Sequence, residues 1–320
     1  MLCKNPSSFG SIWVCGEVLI DRIPSPVIGD EGRVNVVGGG AANTAKCISR
    51  LGYDVQFIDG LSADSYGTIS KNELLEDGVG LDLCLQNSDK PTCLATVSLD
   101  ENKKASYEFL IDGTATFDFD KSWLPDFGVH QPSVLHIGTL ATIIEPGAST
   151  IYDWAMEGAT EHGVPVVFDP NIRPSVMPDR DVYKKSVDRF AKISSVIKAS
   201  DEDIEWLYPD TPHEDVAKKW LGDELTSLVV ITKGEDGLTS WTKDGNVINE
   251  SPSETIKVKD TVGAGDTVGA VLTEGLLKHG IDRLVNDPDC LRSVLSRANK
   301  ASGITCSREG CKPPTKHDLE

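Results

Sequence analysis

Asp260-Thr-Val-Gly-Ala-Gly-Asp266 is the stretch whose reading decides how this chain folds and where its chemistry lies. A strand-like run, Thr255 to Lys259, leads into it. An apolar-periodic segment from Ala264 to His279 follows, with Leu272, Leu276 and Leu277 among its apolar positions. The unit is therefore strand, turn, helix. A helix beginning on Gly263, Ala264 and Gly265 presents backbone N–H groups that lack intrahelical partners, at the positive end of its dipole. With no side-chain bulk there, an anion can approach those amides closely. Such a helix start is an anion hole suited to a phosphoryl group in transfer. Asp266, in the first turn, has two readings: an acid that favours the helix dipole, or a base that takes the proton of an attacking hydroxyl.

The same alternation extends outward along the chain. Ser11–Ile20, Val55–Asp59, Val134–Ile137, Val164–Phe168, Ser195–Lys198 and Leu228–Thr232 read as strands. Ala41–Leu51, Tyr66–Glu76, Ala148–Glu161, Val182–Ile193, Ala264–His279 and Cys290–Cys306 read as helices. The expected fold class is α/β, a mostly parallel central sheet covered by helices on both faces. Two stretches break the rhythm. Arg22–Val37 is rich in Pro, Gly and β-branched residues, and Thr92–Leu110 reads as two strands around a turn at Asp100–Lys103. Together they predict a small β-sheet projecting from the main body, as a lid over the active site or as an edge extension and dimer contact. The expectation is one domain over residues 1–320, with lid strands from about 20–37 and 92–112. No internal repeat or low-complexity tract interrupts it.

Composition narrows the function classes. The 320 residues, 39% apolar and 25% charged, suit a soluble globular protein. No run of about 18 apolar residues is present, so no membrane span is expected. Met1 to Ile20 lacks the continuous apolar block of a signal peptide, and a cytoplasmic location is expected. A net charge of −19 disfavours nucleic acid as a partner and requires a local positive site wherever phosphate is bound. The eight cysteines form no CxxC pair, and no Cys/His cluster has zinc-ligand spacing. Free thiols in a reducing compartment are expected. No Walker A motif and no protein-kinase HRD/DFG set occurs. No GxGxxG turn follows the first strand, which argues against a dinucleotide-dependent oxidoreductase.

The motifs resemble those of the ribokinase-like (PfkB) carbohydrate kinases, over about Trp13 to Thr315, in family order and spacing. DTVGAGD resembles the family's C-terminal signature, which implies a catalytic base at Asp266 and phosphoryl binding at Gly263, Ala264 and Gly265. Gly38-Gly-Gly-Ala-Ala-Asn43, with Arg50-Leu-Gly52 after it, resembles the N-terminal signature, and Asp21 matches its sugar-binding acid. The resemblance thus assigns Asp21, Gly38, Gly39 and Asn43 to sugar hydroxyls, a role that suits the donor and acceptor chemistry of a carboxylate and an amide. Taken alone, Gly38–Asn43 also reads as a helix N-cap region and Asp21 as a strand-end surface acid. Val167-Phe-Asp-Pro-Asn-Ile-Arg-Pro174 resembles the FDPNxR stretch of fructokinases and 2-keto-3-deoxygluconate kinases. It places Asp169, Asn171 and Arg173 at a strand's carboxyl end, where open α/β sheets bind ligands. Arg173 can supply positive charge to phosphate or carboxylate, or serve only a loop ion pair.

The nucleotide side follows from the same resemblance. Lys198-Ala-Ser-Asp-Glu-Asp203 resembles the segment around the NxxE motif, with Ser200 and Asp203 in the Asn and Glu positions. That implies nucleotide binding at Lys198 and Ser200, and magnesium held through water by the shorter Asp203. Thr232-Lys-Gly-Glu-Asp-Gly237 resembles the nucleotide loop, with Thr232, Gly234 and Gly237 carried over, and Asn299 falls in the segment that flanks adenine. Asp260 with the backbone of Arg308 to Gly310 matches a monovalent-cation (potassium) site found in some relatives. Four positions depart from the pattern: Gly40 and Ala41 replace Ala-Pro, Val268 replaces a common Phe, and Val271 stands where Gly or Ala is usual. The activity implied is ATP- and Mg2+-dependent phosphorylation of a sugar primary hydroxyl, most similar to fructose phosphorylation to fructose 6-phosphate. 2-Keto-3-deoxygluconate kinase, ribokinase, or an idle sugar-binding regulator on the same fold are the alternatives. Expected partners are a small-molecule sugar and ATP, and a homodimer through the lid is common among relatives.

Overall fold

The computed structural model describes residues 12–24, 32–99, 105–252 and 256–320. Its strands, in chain order, are β1 (Ile12–Cys15), β2 (Leu19–Pro24), β3 (Arg33–Gly38), β4 (Val55–Ile58), β5 (Gly60–Ser62), β6 (Leu85–Ser88), β7 (Leu94–Leu99), β8 (Ala105–Leu110), β9 (Val134–Gly138), β10 (Val166–Asp169), β11 (Val196–Ser200), β12 (Leu228–Thr232), β13 (Leu238–Thr242) and β14 (Val247–Glu250). The helices are α1 (Gly40–Arg50), α2 (Ser65–Glu76), α3 (Gly147–Thr160), α4 (Arg180–Ala191), α5 (Asp201–Leu207), α6 (His213–Leu221), α7 (Ala264–Asn286) and α8 (Pro288–Cys306).

The main sheet runs β14-β13-β12-β11-β10-β9-β1-β4. The strands from β12 to β4 are parallel, and the β13–β14 hairpin adds an antiparallel edge. Period-two alternation sends successive side chains of each strand to opposite faces. Trp13, Leu135, Phe168 and Ile197 build one apolar layer, completed by Ile151 and Trp154 of α3, Phe190 of α4 and Trp220 of α6. Ile12, Val14, Val134, Val167 and Val196 build the other, beneath α1, α7 and α8. Three layers result, α/β/α, as the alternation predicts. Val268 and Val271 are buried in the second layer, so the two departures from the signature are absorbed into the core. No helix among the described residues is long and apolar enough to cross a membrane.

A second sheet, β3-β2-β7-β8, carries the two stretches that break the rhythm. The Asp100–Lys103 turn lies outside the described residues, as does much of the loop between β2 and β3. Two expectations need correction. Ser11–Ile20 is not one strand: the chain leaves the main sheet after Cys15 and enters the second sheet at Leu19. Gly16 allows the break, because a Cβ there would lie 2.2 Å from Gly138 O. The described part of Thr255–Lys259 forms no strand, and the edge is closed by β13 and β14. The expected Ala264–His279 helix stands: non-helical Gly280 (φ 72°) ends it, and a short second helical stretch carries α7 on to Asn286.

Candidate functional site

The parallel strands end on one edge, and the polar residues that follow them collect there. At its centre is the start of α7. Gly263 caps it in the left-handed region (φ 79°), and a Cβ there would lie 2.2 Å from Cys311 Sγ, so no larger residue fits. A Cβ at Gly265 would lie 2.8 Å from Lys198 Nζ. That ammonium comes from β11 and is 3% exposed. It pairs at 2.9 Å with Asp169 Oδ2, itself buried at the end of β10. Burial works against the charged lysine, but Asp169, Asp203 and Asp266 outweigh it and hold its pKa above the usual range. The positive charge that the acidic surface withholds is thus built in beneath the anion hole.

Asp266 is 7% exposed. Its Oδ2 accepts from Asn43 Nδ2 at 2.9 Å, which ties α1 to α7. Burial raises its pKa to about 6 and Asp169 adds to the rise, against Asn43, Lys198 and Arg173. Asn43 Oδ1 is buried with no hydrogen-bond partner among the described residues. A buried acceptor left unmatched is costly, and a ligand hydroxyl would satisfy it. Asp21, on β2, lies against Gly38, where a Cβ would fall 2.3 Å from Asp21 Oδ2. Burial raises the Asp21 pKa to about 6, opposed by Arg173. Gly39 precedes α1 and passes over the carbonyl of Glu17. Asn171 turns through a positive φ of 38° and donates its N–H to Asp169 Oδ1 at 3.2 Å. Arg173 is exposed, and its Nη1 donates to Ile172 O at 3.0 Å. Its charge acts on both Asp21 and Asp266. Of the six residues assigned to the sugar, Asn43 bonds Asp266 directly, the Arg173 charge reaches both Asp266 and Asp21, and Gly38 packs against Asp21.

On the other side of the α7 start lies a cavity of about 910 Å³. Its lining includes Thr232, Gly234, Gly237, Ala264, Gly265 and Asn299 from the assigned set. Ile256, Val258, Ser302, Gly303 and Cys306, which the motifs do not single out, add a partly apolar wall together with Val268. Asn299 Nδ2 donates to Glu250 O at 2.9 Å and so joins α8 to β14. Lys198 stands beneath Gly265 rather than in this lining, and Ser200 and Asp203 also lie outside it. Ser200 caps α5: its Oγ accepts from Asp203 N at 3.1 Å, while Asp203 Oδ2 accepts from Ser200 N at 2.9 Å. Asp203 Oδ1 accepts from Ile172 N at 2.8 Å, so each oxygen already holds one backbone donor. Asp260 reaches the Arg308–Gly310 loop, where its Oδ2 accepts from Gly310 N at 2.9 Å. No cluster of three or more metal-ligating side chains occurs among the described residues.

Glu17 and Thr139 stand in this site without having been singled out. Glu17 is 1% exposed, and its carboxylate accepts from Gly40 N at 3.0 Å and from the Thr139 hydroxyl. Its only signal in sequence is an acid inside the otherwise apolar Ser11–Ile20 run. Thr139 carries none.

A family profile described as pfkB family carbohydrate kinase matches residues 11–318. A fructokinase of Rhizobium leguminosarum bv. trifolii is 36% identical over 266 residues, 83% of this chain and 79% of the relative. Among solved structures, fructokinase with bound ATP from Xylella fastidiosa matches with a TM-score of 0.84 at 23% identity, over 96% of each chain. A fructokinase double mutant from Vibrio cholerae O395, in its fructose-, ADP- and potassium-bound form, matches with a TM-score of 0.79 at 24% identity, over 95% of this chain and 94% of that one.

Proposed function

The chain belongs to the pfkB family of carbohydrate kinases, and from that premise we propose that it transfers the γ-phosphoryl group of ATP to the primary hydroxyl of D-fructose, giving fructose 6-phosphate. One observation carries the assignment of roles. The buried Asp266 carboxylate lies at a bare helix start, between a polar cleft with an unmatched amide oxygen and a cavity large enough for a nucleotide. Asp21, Gly38, Gly39, Asn43, Asn171 and Arg173 hold the sugar. Asp266 takes the hydroxyl proton as the oxygen attacks in line. The amides of Gly263, Ala264 and Gly265 receive the charge that builds on the transferring group, and the Lys198 ammonium beneath them adds to that field. Thr232, Gly234, Gly237 and Asn299 line the nucleotide side.

Magnesium needs few protein ligands, since it keeps waters and takes phosphate oxygens. The carboxylate of Asp203, with lone pairs left beside its two backbone donors, suits an outer-sphere role. Bound there, the ion would neutralise phosphate charge. Asp260 and the carbonyls of Arg308 to Gly310 would hold potassium. The second sheet serves as the lid that excludes water. A second copy packs on its exposed apolar positions, Ile23, Val34 and Val36. A cytoplasmic site of action suits the seven described cysteines, all of them free.

An assay of ADP release over a sugar panel tests this. Turnover should be greatest with fructose, and lower with ribose and 2-keto-3-deoxygluconate. Sugar binding without ADP release would instead identify a sensor. Asp266→Asn should lower kcat by about 10²-fold or more while the protein stays folded. Near-normal turnover would remove Asp266 as the base.

A further inference from the structure

The helix that holds Asp266 has no cap of its own. Asn43 Nδ2 donates to Asp266 Oδ2 at 2.9 Å, and the Thr44 hydroxyl donates to Asp266 O at 3.3 Å, so α1 grips both the carboxylate and the backbone of that residue. Yet α1 is capped by Gly39, which offers no side chain to the orphan N–H groups, and its first turn contains no acid. Glu17 supplies both from outside the helix. Its carboxylate accepts from Gly40 N at 3.0 Å, and its backbone carbonyl accepts from Ala42 N at 3.3 Å. Both bonds use main-chain N–H groups and so ask nothing of the side chain at position 40. A negative charge at this end also suits the dipole of α1.

The capping carboxylate is itself fixed. It is buried, and besides Gly40 N it accepts from the Thr139 hydroxyl, from Ala141 N at 3.4 Å and from Thr139 N at 3.5 Å. A carboxylate offers about four acceptor positions, and four donors occupy them. Three of the four come from the segment that follows β9, so one side chain ties the start of α1 to the rim of the main sheet. None of these donors lines the nucleotide cavity.

We propose that Glu17 is a positioning residue for phosphoryl transfer: it caps α1 from outside the helix and thereby fixes Asn43, one turn on, against the carboxylate of Asp266. The proposal rests on the kinase reading above, with Asp266 as the base. Glu17 touches neither sugar nor nucleotide in this role and acts only through the helix that it starts.

The test compares wild type, Glu17→Gln, Glu17→Asp, Asn43→Ala and the Glu17→Gln/Asn43→Ala double variant in two readouts: steady-state kinetics with the wild type's best acceptor, and the carboxyl 13C titration of Asp266. Glu17→Gln keeps the shape but turns one acceptor into a donor that must face another donor. It should lower kcat about tenfold, since small misplacements of reacting groups have large effects, with nucleotide KM within about twofold of wild type. Burial and Asp169 raise the Asp266 pKa, and the Asn43 amide opposes them. Loosening that amide should therefore move the Asp266 titration up by about half a unit. Asp169, Lys198, Arg173 and Cys311 also face Asp266, and no variant touches them. Glu17→Asp keeps the charge but retracts it by one CH2. It should show both changes in smaller measure, which preserves the test if the glutamine variant does not fold. Because Glu17 acts through Asn43, the double variant should lose clearly less kcat than the product of the two single losses. A lower Tm with kcat and the Asp266 titration unchanged, the mark of a merely structural role, would overturn the proposal. Losses that multiply in the double variant would do the same. No acceptor-dependent turnover in the wild type would overturn the kinase reading itself, and this inference with it.

Discussion

Asp266 is the proposed base and a buried charge, and the two set opposite pH demands. Its pKa is raised to about 6, first by burial and then by Asp169. In the unfolded chain an aspartate titrates near ~3.9. Between these values the folded protein binds the proton more tightly, so this residue's contribution to stability is largest at low pH and is lost as pH rises through about 6. At 1.36 kcal/mol per unit, Asp266→Asn should gain up to ~3 kcal/mol relative to wild type between about pH 4 and pH 7. Urea titrations of both proteins at the two pH values read this difference. Activity runs the other way, because a protonated Asp266 cannot accept the hydroxyl proton. The kcat/KM should fall below about pH 6. Asp21 is raised to about 6 as well, so the acid limb should be steeper than one proton requires, and Asp21→Asn should return what activity remains to a single-proton slope. Residues such as Asp266, Gly265 and Asn43 were legible in the sequence because their chemistry sits in short local patterns. Glu17 and Thr139 were not, because what matters in them is a contact across 122 residues of chain.

Elements were legible where a strand or helix carried its own periodicity, and less so where tertiary contacts decide. Five of the six parallel strands and the long helices fall within a few residues of their expected bounds. The division of the first strand was hidden, since Val18, Leu19 and Ile20 continue its apolar run and only the crowding at Gly16 forces the chain into another sheet. The β13–β14 hairpin, with Trp241 and Ile248 buried, closes the sheet edge, while the described part of Thr255–Lys259, read as a strand, is irregular. At α5 the motif reading and the geometry differ in emphasis. Sequence places Asp203 at a metal position, whereas its carboxylate bridges Ser200 N and Ile172 N and so binds the α5 start to the loop after β10. Asp203→Ala should therefore destabilise the fold by about 2–3 kcal/mol in chemical denaturation without any metal present. An unchanged midpoint would mean that the carboxylate matters only for the ion. Asp203→Asn, which keeps one acceptor, should fall between the two.

For the whole molecule, strand register in the second sheet would tie the proposed sugar site to the proposed dimer contact. Asp21 pairs with Val36 across β2 and β3, and Ile23 pairs with Val34. Directly paired residues point to the same face, so the acid assigned to the sugar shares its face with three apolar side chains exposed at 37–41%. A stable interface buries about 1,200–2,000 Å² in total, more than three such side chains supply, so a partner must cover much of the sheet. A copy seated there would also shield Asp21 from water and steady the lid over the sugar. Val34→Asp with Val36→Asp places charge in that contact while leaving the buried side of β3 intact. If the wild type sediments as the proposed dimer, this variant should sediment as a monomer. Acceptor KM should rise several-fold, with nucleotide KM little changed, because the cavity lined by Thr232, Gly237 and Asn299 belongs to the main sheet and the helices behind it. A double variant that still sediments as a dimer would move the interface elsewhere. A monomer with unchanged acceptor KM would separate assembly from the closure of the lid.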